Sequence, residues 1–148
     1  MSYTYSYPRP AVTVDAVVFR KVEKKTEVLL IKRAKHPFAG MWAAPGGFID
    51  MEETPGDAAA RELYEETGIS DVELFQYHAY GEVNRDPRHR TISIAYTGLL
   101  AVNNQQAKGG DDAAEAAWFS IDNLPPLAFD HLLVVSDAIQ FGKTKNWF

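Results

Sequence analysis

The sequence predicts an α/β domain in which helices are layered on a sheet. Two observations carry that expectation. Apolar, β-branched runs stand before, between and after two helical segments, and both helical segments carry capping chemistry at their ends. Residues 11–20 (AVTVDAVVFR) and 27–33 (EVLLIKR) read as two strands joined by the charged turn of residues 21–26, a hairpin. Residues 41–44 lead into the turn cluster Pro45-Gly46-Gly47, with Phe48 and Ile49 just beyond. Thr54 is placed to cap a helix whose first position is Pro55 and third is Asp57, and Gly68 supplies a left-handed stop past Thr67. Ala59, Ala60 and Leu63 make the apolar stripe of that helix. Residues 72–80 and 91–100 read as further strands around the polar loop 82–90, and residues 116–119 as a short one. After the breaker Leu124-Pro125-Pro126, Asp130 is expected to cap a last helix to about Phe141, ended by Gly142, with Leu132, Val135 and Ile139 at helical spacing.

The chain is 148 residues long, enough for one domain spanning residues 1–148 with its own core. At 46% hydrophobic and 24% charged residues it has the composition of a soluble globular protein. A net charge of −5 argues against a general nucleic-acid binder. The lack of cysteine excludes disulfides and thiolate metal sites, which suits a reducing, cytoplasmic setting. No apolar run approaches the roughly 20 residues that span a bilayer, and the tyrosine-rich start MSYTYSYPRP is not a signal peptide, so no membrane partner is expected.

The most informative feature lies in the first helix. Glu62, Glu65 and Glu66 stand at i, i+3 and i+4 and share one face. Like charges so placed repel by a few tenths of a kcal/mol per pair in an exposed helix, about 0.2–0.5 kcal/mol. Arg61 is the only base nearby in the segment and cannot neutralise all three. A glutamate-rich face is otherwise a solvated one. Here the alternative is a hard divalent cation, which takes oxygen ligands and, when held by few carboxylates, leaves room for a substrate's phosphates.

The segment GFIDMEETPGDAAARELYEETGI resembles the signature of the Nudix hydrolases: Gly47, five residues, Glu53, seven residues, then Arg61, Glu62, Leu63, Glu65, Glu66, Gly68 and Ile69. Every fixed position is filled. The resemblance implies a Nudix-type α/β/α sandwich around a mixed sheet and a metal-dependent hydrolase of diphosphate bonds. It implies Glu62 and Glu66 as principal ligands of Mg2+, or of Mn2+, with Glu65 assisting and a Gly46 or Gly47 carbonyl completing the set. Glu53 either contacts metal through water or orients the helix, and Arg61 aligns a glutamate. The base that activates water in many such enzymes is an acid of a later loop. Glu115, then Asp112, are the candidates here, with solvated loop acids as the competing reading.

Arg85, Arg88 and Arg90 with His89 concentrate positive charge in one loop of an acidic protein, and arginine forks match phosphate oxygens. Arg33 ends a strand just before the glycine turn and is a further candidate for a phosphate. Tyr80, Phe38, Trp42 and Phe129 are candidates to stack a base, although such residues are more often core. His131, beside the last cap, reads as a hydrogen-bonded structural histidine. The stretches KRAKHPFAGMWAAPGGF, RDPRHRTISIAYTGLL and GDDAAEAAWFSIDNLPPLAFDH resemble the bacterial ADP-ribose pyrophosphatase branch of the family, which implies a small-molecule nucleotide substrate cleaved to AMP and ribose 5-phosphate. Two alternatives stand beside it, a housecleaning hydrolase of oxidised nucleoside triphosphates and a non-catalytic ADP-ribose sensor. The complete glutamate box, and the few residues after the last helix, speak against a sensor with an added DNA-binding module. A homodimer through the aromatic N-terminus or Trp147-Phe148 is open.

Overall fold

The computed structural model describes residues 2–101, 105–110 and 113–148. Its elements are β1 (Ala11–Val22), β2 (Lys25–Arg33), β3 (Trp42–Ala43), β4 (Gly46–Phe48), α1 (Pro55–Thr67), β5 (Phe75–Tyr80), β6 (Thr91–Leu99), β7 (Ala113–Ser120) and α2 (His131–Thr144). The strands form one sheet with the path β3-β2-β1-β6-β5, to which β4 adds on β1 and β7 on β2. Among the described strands β1 and β6 run parallel while the other strand pairings are antiparallel, so the sheet is mixed.

Strand β1 is buried from Val14 to Phe19 on both faces, as expected of a strand covered on each side. Its alternating side chains divide the core. Val17 and Phe19 pack with Val28, Leu30, Ala95 and, from α2, Val134, Val135 and Ala138. Ala16 and Val18 pack instead with Leu29, Leu63 and Ile69, and Val14 with Ala58 and Ala59 of α1. The two helices therefore cover opposite faces, and the expected α/β/α sandwich is what the chain forms. Each large aliphatic side chain buried in this way stabilises the fold by about 1.5–3 kcal/mol. Among the described residues, no helix is long and apolar enough to cross a membrane.

Four local features differ from the sequence expectation. The glycine cluster is a strand rather than only a turn, since Gly46 and Gly47 pair with Asp15 and Val14 of β1. β5 begins at Phe75, three residues late, because Val72 and Leu74 turn their side chains into the core beside α1 while the chain is still irregular. Asp130 makes no side-chain cap, its carboxylate being taken by Arg85. Gly142 does not end the last helix. It lies inside it, where Phe148 and Trp147 fold back against its bare Cα, and Phe148 meets Phe19 at 5.1 Å between ring centroids. The Trp147-Phe148 tail is thus spent on this protein's own core rather than presented outward.

A Cβ at position 142 would lie 2.6 Å from the Phe148 ring. Gly142→Ala should consequently destabilise the protein by about 1–3 kcal/mol, instead of adding the roughly 1 kcal/mol usual for Gly→Ala in a helix interior. Urea midpoints at unchanged slope read this out, and a raised midpoint would contradict the packing assigned to the tail.

Candidate active site

The start and stop of α1 set which face meets the sheet. Thr54 Oγ1 accepts from the Asp57 amide at 3.1 Å, Pro55 occupies the first position, and Gly68 closes the helix at φ 77° with its N–H on the Tyr64 carbonyl. With Ala58, Ala59 and Leu63 buried, Glu62, Glu65 and Glu66 turn toward β4 and the cavity beyond it. Gly46 donates its N–H to Glu66 Oε1 at 2.7 Å. A Cβ on Gly47 would come within 2.5 Å of Glu62 Oε1, and one on Gly46 would run into the Val14 carbonyl. Helix and strand approach this closely only because neither residue has a side chain.

Arg61 binds the acids together from the side. Its Nη1 donates to Glu62 at 2.8 Å and to Glu65 at 3.1 Å, while Nε and Nη2 donate to Glu53 at 3.0 and 2.5 Å. Nη2 also reaches the Phe48 carbonyl at 3.1 Å. Hydrogen bonding to Glu53 above all, and then to Glu62, raises the guanidinium above its ordinary range. In return Arg61, with the Asp50 amide, holds the Glu53 carboxyl at about 2. Glu53 thereby ties the Asp50 amide to Arg61.

A cavity of about 650 Å³, within the size range of small-molecule sites, opens beside this wall. Its other side carries Arg33, Arg85, Arg88 and Phe129. The Phe129 ring has the Arg33 guanidinium 4.9 Å from its centroid and that of Arg88 at 5.5 Å, with Phe38 edge-on at 4.8 Å. Phe38 and Phe129 both hold positive φ, 61° and 52°, unusual for bulky residues and found where surroundings dictate the backbone. Arg33 Nε donates to the Pro37 carbonyl at 2.8 Å. Arg85 spends its fork on Asp130 at 2.8 and 2.7 Å; burial opposes its charge, but the pair outweighs burial and lifts its pKa. Arg88 grips Asp86 at 3.0 and 2.7 Å, which brings that carboxyl below its usual range although burial pushes the other way. At the floor, buried Asp15 accepts from Ser93 at 2.5 Å and faces the imidazole of His131.

The structure thus gathers Arg33, Gly46, Gly47, Glu62, Glu65, Glu66, Arg85, Arg88 and Phe129 around one space, with Arg61 behind the acids. It does not bring Glu115 there: that residue is exposed on β7 opposite Lys32 and is not among the described residues lining the cavity. Asp112 lies outside the described residues. Tyr80 and Trp42 belong to the core. Polar and aromatic lining residues not expected from the sequence include Asp15, Lys35, His36, Phe48 and Asp86. Only Asp15 carried a signal, as a lone acid within an apolar strand.

The donor set suits a hard divalent cation, being oxygen only, from three glutamates and a glycine backbone at one wall. Among the described residues, no three acidic or imidazole groups already converge as a metal cage. A cation here would take few protein oxygens, as magnesium commonly does.

The NUDIX domain family model matches residues 9–137, and the chain belongs to the Nudix family. Within it the chain is a pyrophosphohydrolase, a hydrolase acting on acid anhydrides. It is 42% identical over 135 residues to the ADP-ribose pyrophosphatase of Methanocaldococcus jannaschii, covering 91% of this chain and 76% of that protein. It is also 33% identical to the ADPR responsive transcriptional repressor NtrR of Acinetobacter baylyi, covering 95% of this chain but only 56% of the repressor's length. Among solved structures, the Nudix domain of Shewanella oneidensis NrtR complexed with ADP ribose superposes with a TM-score of 0.85 at 31% identity, over 91% of this chain and 90% of that one.

Because the folded Glu53 carboxyl titrates at about 2 against an ordinary 4.5, its contribution is complete above about pH 4.5 and is lost as pH falls toward 2. Melting temperatures of the wild type and Glu53→Gln should therefore differ most at neutral pH and converge on acidification. A constant gap down to pH 2 would contradict the pairing with Arg61.

Proposed function

We propose that the chain hydrolyses the diphosphate bridge of ADP-ribose, giving AMP and ribose 5-phosphate, with a divalent cation, Mg2+ or Mn2+, held by Glu62, Glu66 and the glycine turn. The observation that carries this reading is the two-sided cavity: an oxygen-only acidic wall faces a wall of arginines around an aromatic ring. A nucleoside diphosphate joined to a sugar offers partners for both at once, phosphate oxygens for a cation held at the first wall and for the arginines of the second, and a planar or hydroxylated end for its ring. The similarity to an ADP-ribose pyrophosphatase and to an ADP-ribose-binding domain favours this ligand over a nucleoside triphosphate.

The bound cation would offset phosphate charge and make water more acidic. The protein's own part is to hold that arrangement. Arg61 spaces Glu62 from Glu65, Gly46 orients Glu66, and Arg88, Arg33 and Phe129 hold the far end of the ligand. Hydrolysis adds the water oxygen to one phosphorus while the bridging oxygen leaves on the other. The water's proton needs an acceptor. The sequence points to Glu115 and Asp112; inside the cavity the carboxylate nearest solvent is Glu65, its side chain 38% exposed, and we assign it that role.

With Mg2+, purified protein should release AMP from ADP-ribose, and Glu62→Gln or Glu66→Gln should lower kcat/KM by about 100-fold or more, matching loss of several kcal/mol of charge stabilisation. Glu65→Gln should lower kcat while keeping affinity for Mn2+ near wild type. Binding of ADP-ribose with no turnover would instead support a sensor, in keeping with the similarity to an ADPR responsive transcriptional repressor.

Arg88→Ala should raise KM for ADP-ribose about tenfold, the value of one charge-assisted contact of about 1.5 kcal/mol, with kcat little changed. Equal loss in kcat and kcat/KM would assign Arg88 to the transition state instead.

A further inference from the structure

His131 lies at the first position of α2, buried at 5% exposure. Its Nδ1 accepts the backbone N–H of Ala44 at 3.0 Å, across 87 residues of sequence. An atom that accepts this amide carries no proton, so the ring proton sits on Nε2, directed to Asp15 Oδ1 at 3.6 Å. Asp15 is itself tied to β6 through Ser93. Ala44 stands two residues before Gly46, and the Pro45 carbonyl between them accepts from the Ala16 amide at 2.8 Å. The strand leading to the glycines is thus pinned at two successive points, by the imidazole and by β1.

The two residues just before the helix reach other walls. Asp130 holds Arg85, and Phe129 lies under Arg33 and Arg88. Residues 129–131 consequently lock the arginine wall and the glycine strand to one rigid element.

We propose that His131, with Asp15 behind it, is a positioning residue that sets the height of the Ala44-Pro45-Gly46-Gly47 segment against Glu62 and Glu66, and so sets the affinity of the cation site. The proposal rests on the metal-binding part of the proposed function and is independent of which nucleotide is cleaved. Partners that orient a metal's ligands typically change affinity by about 10- to 100-fold when removed.

The test is calorimetric titration of the substrate-free 148-residue chain with Mn2+ alone, together with melting temperatures and amide exchange at Ala44. His131→Leu keeps a similar volume without an acceptor and should weaken Mn2+ binding about tenfold or more while speeding exchange at Ala44. His131→Asn carries an oxygen near the place of Nδ1 and should recover most of the affinity. His131→Gln, with its amide one bond farther out, should not, and it serves where the leucine variant fails to fold. In the wild type, long-range proton–nitrogen spectra should find the proton on Nε2. Unchanged Mn2+ affinity in His131→Leu and His131→Gln, affinity in His131→Asn as poor as in those variants, or a proton on Nδ1 would overturn the proposal. So would a wild type with no Mn2+ affinity. Failure to cleave ADP-ribose, with Mn2+ affinities following the expected order, would overturn only the substrate assignment.

Discussion

Helix α1 lies against strand β4 with no side chain on the strand's two glycines to hold it off, and the acidic wall follows from that contact. Any Cβ at position 47 would strike the Glu62 carboxylate, and the Gly46 amide is close enough to bind Glu66 at 2.7 Å. Three acids on one helical turn repel one another by a few tenths of a kcal/mol per pair, about 0.2–0.5 kcal/mol. Arg61 offsets part of this by donating to Glu53, Glu62 and Glu65 at once, and a cation would offset more. The fold therefore gathers negative charge on one wall of the cavity.

What holds this contact in place is the sheet. β1 pairs with β4 on part of its length and with β6 in parallel along the whole of its first nine residues. Its even-numbered side chains from Val14 to Val18 pack on the α1 side, while its odd-numbered ones Val17 and Phe19 pack on the α2 side. One strand therefore registers both helices relative to each other, so residues at the start of α2 can meet residues before β4. The cavity lies where those two registrations converge, its glutamates from α1, its arginines and aromatic from β2, the β5–β6 loop and the turn before α2.

The pairing of the loop arginines has a functional side. Arg85 and Arg88 are each matched to an aspartate, so the wall is held in shape without ligand at the cost of sharing those guanidiniums. A ligand phosphate meeting Arg88, half out in solvent at 37% side-chain exposure, competes with Asp86; one meeting Arg85, at 5%, would have to break a buried pair. The two arginines, alike in sequence, are therefore unequal as ligand contacts.

Local chemistry was legible in the chain before any folding. The cap at Thr54, the stop at Gly68, the apolar stripe at Ala59 and Leu63, and the three acids at helical spacing all depend on neighbours within a few residues. So do most strand cores, whose apolar runs announce burial on both faces. Tertiary structure alone decided that β1 and β6 run parallel, that Gly142 takes the tail rather than ending α2, that Asp130 serves Arg85, and that His131 reaches Ala44 across 87 residues. Those outcomes hang on contacts between segments distant in sequence, where residue identity sets what a group can bond to, and only the packing of the sheet sets which partner it meets.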